Sequence, residues 1–290
     1  MLDLILAPLV GALVIQALNA YFGLHVLRRE VIFVDLAFAQ VAALGGTVGI
    51  LFHVEPGTGT AFLFTFGATL IGALIFSFTR LGESSPVPQE ALIGTTYVVA
   101  SAAVILLASL TAEGAEHISE TLTGSLIWVT WPTVVKIAIV YALIGVFHYV
   151  FRRKMLDITF HPERVSRLRL WDFIFYLTFG IAIAMVVNLA GVLFLFSTLV
   201  IPAVIALFFA QSFGATLLLA WLSGAASILI GLIASFYWDM ATGPTLVCAF
   251  GVVLIVAGVI RMVANLGGRK SSAASRDRAP DPSPSVPAGS

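Results

Sequence analysis

Residues 171–210 read WDFIFYLTFGIAIAMVVNLAGVLFLFSTLVIPAVIALFFA. Only the segment from Asn188 to Gly191 interrupts this apolar run. A bilayer core of roughly 30 Å takes about 20 helical residues. The stretch therefore holds two spans back to back, or part of it forms a re-entrant pair. The first reading gives a chain of nine spans and the second a chain of eight.

The same hydropathy pattern extends over the rest of the chain. Spans are predicted at about 2–26, 31–52, 60–79, 91–111, 132–151, 171–189, 192–210, 213–236 and 242–263. Of the 290 residues, 60% are hydrophobic and 10% charged. Soluble domains carry about 25% charge. The expected fold is an all-α polytopic membrane protein, with a spanning domain over residues 1–266. The segment SLIWVTWP (125–132) is too short to cross and suits the interface through Trp128 and Trp131. From Gly267 onward the sequence is rich in Ser, Pro, Ala and Arg, which predicts a disordered tail over 267–290. The N-terminus lacks a basic n-region and reads as the first span, not as a cleaved signal.

Charge sets an orientation. With the N-terminus outside, the inner loops and C-terminal end hold 14 of the 15 Lys and Arg residues, all but Lys136. The positive-inside rule then puts the C-terminus in the cytoplasm of a cell bounded by this membrane. The outer loops carry His53, Glu55, Glu113, Glu116, His117, Glu120 and Asp239. Such a face concentrates cations or docks a basic partner, or is simply solvated. Net charge is zero and points to no nucleic-acid partner. The single cysteine, Cys248, makes neither an intramolecular disulfide nor a metal site alone.

No GxxxxGK[ST] loop occurs, so the chain has no nucleotide site of that kind. No CxxC or HExxH occurs either. Many spans, short loops and a few polar groups at depth fit transport better than catalysis. Gln16 and Asn19, three apart on the first span, read as interhelical hydrogen-bonding groups, as do Thr95, Thr96 and Ser101. Asn188, Ser197 and Thr198 line a path or bond backbone carbonyls. His25, His148 and His161 read as interfacial histidines near the inner surface. Asp35 enters one turn into the second span, and Gln40 lies nearer mid-membrane. Five residues turn a helix by about 500°, so the two side chains point apart. Asp35 pairs with Arg28, Arg29 or another helix, or belongs to a pathway. Gln40 faces that pathway or bonds a neighbouring helix.

Several stretches taken in order carry a resemblance: FVDLAFAQVAALG, EALIGTTYVVASAAVILL, TLTGSLIWVT, GVLFLFSTLVIPAVIALFFAQS and DMATGPTLVCAFG. Together they resemble the membrane permease subunit of ABC-type importers for zinc, manganese and iron, over about residues 5–263. The resemblance implies a homodimer with the pathway at its interface, a cytoplasmic ATPase subunit carrying the ATP, and an extracytoplasmic solute-binding protein. It implies a bacterial cytoplasmic membrane and a metal ion as cargo, with no cofactor on this chain. It also implies an ATPase-coupling segment after STLVIPA, here Pro202 to about Gly214, with Leu207, Phe208 and Phe209 as its apolar contacts. Pro202 is expected to break the seventh helix there. Asp239 matches a family acid at the outer mouth, and it serves there as a cation ligand or caps the ninth helix.

The family pattern has an Asp and, four residues later, a His on the second span. This sequence has Leu36 and Gln40 there, with Asp35 one residue early. Gln offers a neutral carbonyl oxygen where imidazole would stand. That departure leaves room for manganese, iron or a chelated metal beside zinc. The competing class is a gradient-driven secondary transporter, which needs a carboxylate relay near mid-depth. Asp35 reads as the only carboxylate well placed within a span, and it is off-centre. A third reading is a membrane scaffold that moves nothing.

Overall fold

The structure, a computed structural model, describes residues 2–55, 57–79, 87–110, 124 and 126–276, without the side chains of 2–5 and 266–276. Ten α-helices follow one another among these residues: α1 (Leu2–Arg28), α2 (Val34–Leu51), α3 (Gly59–Thr79), α4 (Gln89–Ala108), α5 (Trp131–Val150), α6 (Arg152–Phe160), α7 (Leu168–Ala190), α8 (Val192–Phe209), α9 (Phe213–Trp238) and α10 (Thr242–Arg276). All but α6 are long and apolar enough to span. The described chain is thus all-helical with nine candidate spans.

Gly191 settles the count at the decisive stretch. It closes α7 and opens α8 at φ 78°, a conformation that glycine adopts without steric cost. One residue therefore separates two full spans. Across this joint Gly124, itself at φ 69°, packs against the backbone of Ala190 and Gly191, leaving no room for a side chain. A short 3-10 turn, Leu126–Trp128, follows it and exposes Trp128, as an interfacial segment should.

Helices in lipid gain little from hydrophobicity and associate through close packing and small residues. The innermost set is α1, α2, α7 and α8, each more than half buried. Around it, α3 and α4 flank α2, while α9 and α10 pack on α8. Phe38 of α2 wedges between α3 and α7, its ring 5.0 Å from Phe76 and 5.7 Å from Phe179. Gly72 and Gly180 make the space for it. Gly45 lets α2 touch the backbone of α3 at Phe64 and Thr65. Gly23 lets α1 lie on the Leu199 carbonyl of α8.

Two elements differ from expectation. The stretch after α5, expected as loop, contains α6, which buries Met155, Ile158 and Thr159 on one face and exposes Arg152 and Arg153. The i, i+3, i+4 spacing of the buried residues makes it a short amphipathic helix. Pro202 does not break its helix, because α8 runs through it to Phe209. The ring forfeits the bond to the carbonyl four residues back. Contact of Leu199 and Ala203 with Gly23 of α1 holds the helix on both sides of the ring. The tail expected from Gly267 begins inside α10, which runs to Arg276, and its remainder lies outside the described residues. Arg80, Glu113, Glu116, His117 and Glu120 also lie outside them.

Candidate functional site: the buried polar groups of the bundle

Each span reverses the chain, so α1 ends where α2, α7 and α9 begin. Leu24, Arg28, Phe160, Leu207 and Phe213 share one small cavity at that level, which brings the ends of α1, α6 and α8 together with the start of α9. This face also carries Arg152, Arg153 and Lys154 of α6, and is called the basic face below. His53, Glu55 and Asp239 belong to the opposite face, and all three are exposed. His53 and Asp239 both adopt the left-handed conformation, at φ 59° and 49°, where they end α2 and α9. The backbone of Asp239 caps α9, its N–H donating to the Ser235 carbonyl. It therefore closes α9 where the sequence suggested a cap on the helix that follows.

Three buried polar atoms without a hydrogen bond lie on the α2–α4 face, and Asn19 Oδ1 and His25 Nε2 of α1 are two more elsewhere among the described residues. Asp35 lies in the first turn of α2 and is 1% exposed. Its Oδ1 accepts the Leu36 N–H at 2.8 Å, while its Oδ2 is buried with no hydrogen-bond partner. Glu90, in the first turn of α4, accepts the Phe33 N–H at 3.1 Å, which places its charge at the N-terminus of α2. Its Oε2 is buried without a hydrogen bond, as is Ser101 Oγ further along α4. Gln40, also buried, lies on α2 deeper in the bundle. Between α2 and α4 opens a cavity of about 550 Å³ lined by Phe33, Leu36, Ala91, Gly94 and Thr95, among others. A buried polar atom without a partner in lipid is expensive, so a face that collects them is suited to something polar that comes and goes.

Asp35 does not pair with Arg28 or Arg29. Arg28 is exposed, with its guanidinium 5.9 Å from the Phe160 ring. Arg29 donates to Asp172 Oδ1 of α7 at 3.1 Å, a pair whose side chains are 3% and 1% exposed. Its guanidinium also stacks 4.0 Å from the Phe175 ring. Arg29 Nε donates to Thr159 Oγ1 of α6 at 3.1 Å, and His25 Nδ1 meets the same hydroxyl at 2.7 Å. One turn deeper, Tyr21 OH meets His148 Nδ1 at 3.1 Å, and His148 Nε2 meets Thr178 Oγ1 at 2.8 Å. Seven side chains thus tie α1, α5, α6 and α7 together behind the basic face. The two histidines expected at the interface, His25 and His148, are fully enclosed in this cluster. Asp35 is accordingly not alone as a carboxylate within a span: Asp172 is buried too, but it is ion-paired. An acid in the first turn of an apolar span was the available signal for both Asp172 and Glu90.

Gln16 and Asn19 do bond between helices, to the Ala220 carbonyl at 3.0 Å and to Thr198 Oγ1 at 2.9 Å. Thr95 and Thr96 do not; each donates to its own helix four residues back. Such bonds satisfy a hydroxyl without a partner helix. Asn188 is exposed on α7.

The segment after Pro202 contains no separate short helix. α8 ends at Phe209, Ala210 is extended, and α9 starts at Phe213, so 210–212 form a tight turn at the basic face. Pro202 is buried, Leu207 and Phe208 are half-buried, and Phe209 and Gly214 are exposed. Leu207 lines the cavity shared with Arg28 and Phe160.

The fold and this placement of polar groups are those of a multi-pass helical membrane protein. The model of the ABC 3 transport family matches residues 1–261, and the chain belongs to that family. A curated relative, the "High-affinity zinc uptake system membrane protein ZnuB" of Haemophilus influenzae, is 24% identical over 251 residues, covering 85% of this chain and 94% of the relative. The "Probable iron transport system membrane protein" of the same organism is 26% identical over 224 residues, covering 72% and 81%. Among solved structures, PsaBC from Streptococcus pneumoniae in complex with Fab superposes with a TM-score of 0.71 at 16% identity, covering 87% of this chain and 89% of that one. An inward-facing transporter described as of the metal-chelate ABC type gives 0.62 at 21% identity, covering 91% and 84%. At those identities the structures establish the shared fold. Among the described residues, no three His, Cys, Asp or Glu side chains gather where they would hold a metal ion.

Proposed function

We propose that the chain is the translocating subunit of an ATP-driven importer of a divalent transition metal. It works as a pair of copies with a cytoplasmic ATPase subunit and an extracytoplasmic binding protein. The observation that carries this reading is the family match over residues 1–261. The zinc and iron systems of the two curated relatives support the cargo class. ATP is bound and hydrolysed on the partner, and this chain supplies the path. The basic face is cytoplasmic, the N-terminus lies outside, and residues 267–290 form a cytoplasmic tail.

The path runs along α2 and α4, where Asp35, Glu90 and Ser101 keep buried polar atoms unpaired. Asp35 and Gln40 offer oxygen donors, which suit harder cations. The second copy completes a coordination set that one chain does not assemble alone. His53, Glu55 and Asp239, with Glu116, His117 and Glu120, form the outer capture or docking surface. Pro202, Leu207, Phe208, Phe209 and Gly214 flank the turn that meets the ATPase.

Two outcomes test these roles. Gln40→Ala should lower metal uptake while membrane levels of the protein stay the same; wild-type uptake would remove Gln40 from the path. Phe209→Asp puts a charge on an exposed apolar contact, so the ATPase should no longer co-purify while the permease still extracts as a folded protein. Undiminished co-purification would move the coupling surface elsewhere.

Chelated metal is the second reading, favoured by Leu36 and Gln40 standing where an acid–imidazole pair would bind a bare ion. Uptake of a labelled chelate without uptake of the free ion would establish it.

A further inference from the structure

A groove on another side of the bundle has no part in the proposed path. It lies between α1, α5 and α9 and has a volume of about 540 Å³. Its walls are almost entirely apolar, with Leu18, Tyr141, Gly145, Leu217 and Trp221 among them. Two of the helices lend the half nearest the basic face, Ala138–Tyr149 of α5 and Phe213–Trp221 of α9, and α1 lends its middle, Val14–Tyr21. The stretch of α5 from Ala138 to Tyr149 rises about 17 Å. One leaflet of a bilayer core is roughly 15 Å thick. The groove therefore occupies a single leaflet, from the middle of the membrane to the basic face.

A cation closes it there. Arg152 lines the groove's end, its guanidinium 4.8 Å from the Tyr149 ring. Arg152 also lines an adjoining cavity of about 300 Å³ together with Arg153 and Lys154. Asp157 is the next charged residue on α6. None of the three cations forms an ion pair within the described residues. Each thus keeps its charge for an external anion. An apolar slot one leaflet long that ends in three uncompensated cations has the shape and charge of one lipid type.

We infer that this groove is a binding site for an anionic phospholipid. One acyl chain lies along α5 between Tyr141 and Gly145, and the headgroup phosphate sits on Arg152, Arg153 and Lys154. A zwitterionic lipid would fill the slot but leave the three charges uncompensated. Bound in this way, the lipid bridges α1, α5 and α9 beside the His148 cluster and stabilises the assembled bundle.

The test is the melting temperature of the detergent-purified chain during titration with phosphatidylglycerol and with phosphatidylcholine of the same acyl chains. The wild type should rise by roughly 5–10 °C with saturating phosphatidylglycerol and much less with phosphatidylcholine. The combined Arg152→Gln, Arg153→Gln, Lys154→Gln variant should lose that difference. Gly145→Leu should lose it as well with every charge intact, because a Cβ at Gly145 has no atom within 4 Å and the larger side chain would occupy the slot. Arg261→Gln, an exposed cation on α10, should keep it. Equal shifts with the two lipids, or full retention in Gly145→Leu, would overturn the proposal. The same rise with inorganic phosphate alone would reduce the site to an anion site and also overturn it. Dissociation of a dimer by Gly145→Leu would give the groove to a second copy and overturn the lipid assignment too.

Discussion

Arg29→Met is expected to be the most damaging conservative change in the bundle. Met keeps the flexible apolar stem of the side chain but loses the guanidinium stacked on the Phe175 ring. With it goes the positive charge 3.1 Å from Asp172. Removing one member of a buried pair typically costs roughly 3–5 kcal/mol, and the Asp172 charge stays in a fully buried setting. Thr159 also loses the donor on its hydroxyl, which loosens α6 against α1. The expected result is protein that extracts poorly in mild detergent and elutes as aggregate in fluorescence-detected size exclusion. Asp172→Leu combined with Arg29→Met should recover much of the monodisperse peak, since an apolar pair replaces an ionic one. A double variant no better than Arg29→Met would mean that the ion pair is not the cause.

Gly23→Leu is expected to be nearly as severe. A Cβ at Gly23 would collide with the Leu199 carbonyl, a backbone atom that cannot rotate away, and would press on Ala203 Cβ at 3.3 Å. Overpacking a tight contact usually costs about 1–3 kcal/mol, and here the obstacle is main chain on both sides. The helices must separate, which also stretches the Asn19–Thr198 hydrogen bond one turn away. Gly94→Leu is the control, because a Cβ there has no atom within 4 Å. Thermal melting should drop sharply for the first and little for the second. Similar melting for the two would deny that α1 and α8 rely on backbone contact.

Span count and span limits were readable in the sequence, because length and hydropathy are local properties. The nine predicted segments agree with the nine long helices to within a few residues, apart from the extension of α10 to Arg276. The α7–α8 joint was legible as a break but not as a single residue, since only the conformation of Gly191 decides that. Pro202 misled for a physical reason. Proline breaks a helix in water, whereas α8 is held by contacts from α1, a helix nearly 180 positions away. The ion pair of Arg29 with Asp172 was hidden in the same way. Arg29 counted as an inner-loop cation and Asp172 was not singled out, and only the fold brings the end of α1 and the start of α7 together. Asp35 and Gln40 stood out because polar residues in an apolar run are visible one at a time. Glu90 was not singled out, because it stands one residue before the predicted fourth span and only the fold brings its carboxylate to the Phe33 N–H at the start of α2.

The most direct test of metal import by this chain is the total metal content of metal-starved cells with and without its gene, scanned across manganese, iron, zinc, cobalt and nickel. One metal should fall in its absence and return with the intact gene, but not with the Gln40→Ala copy. Unchanged levels of every metal would contradict the assignment of a transition-metal cargo.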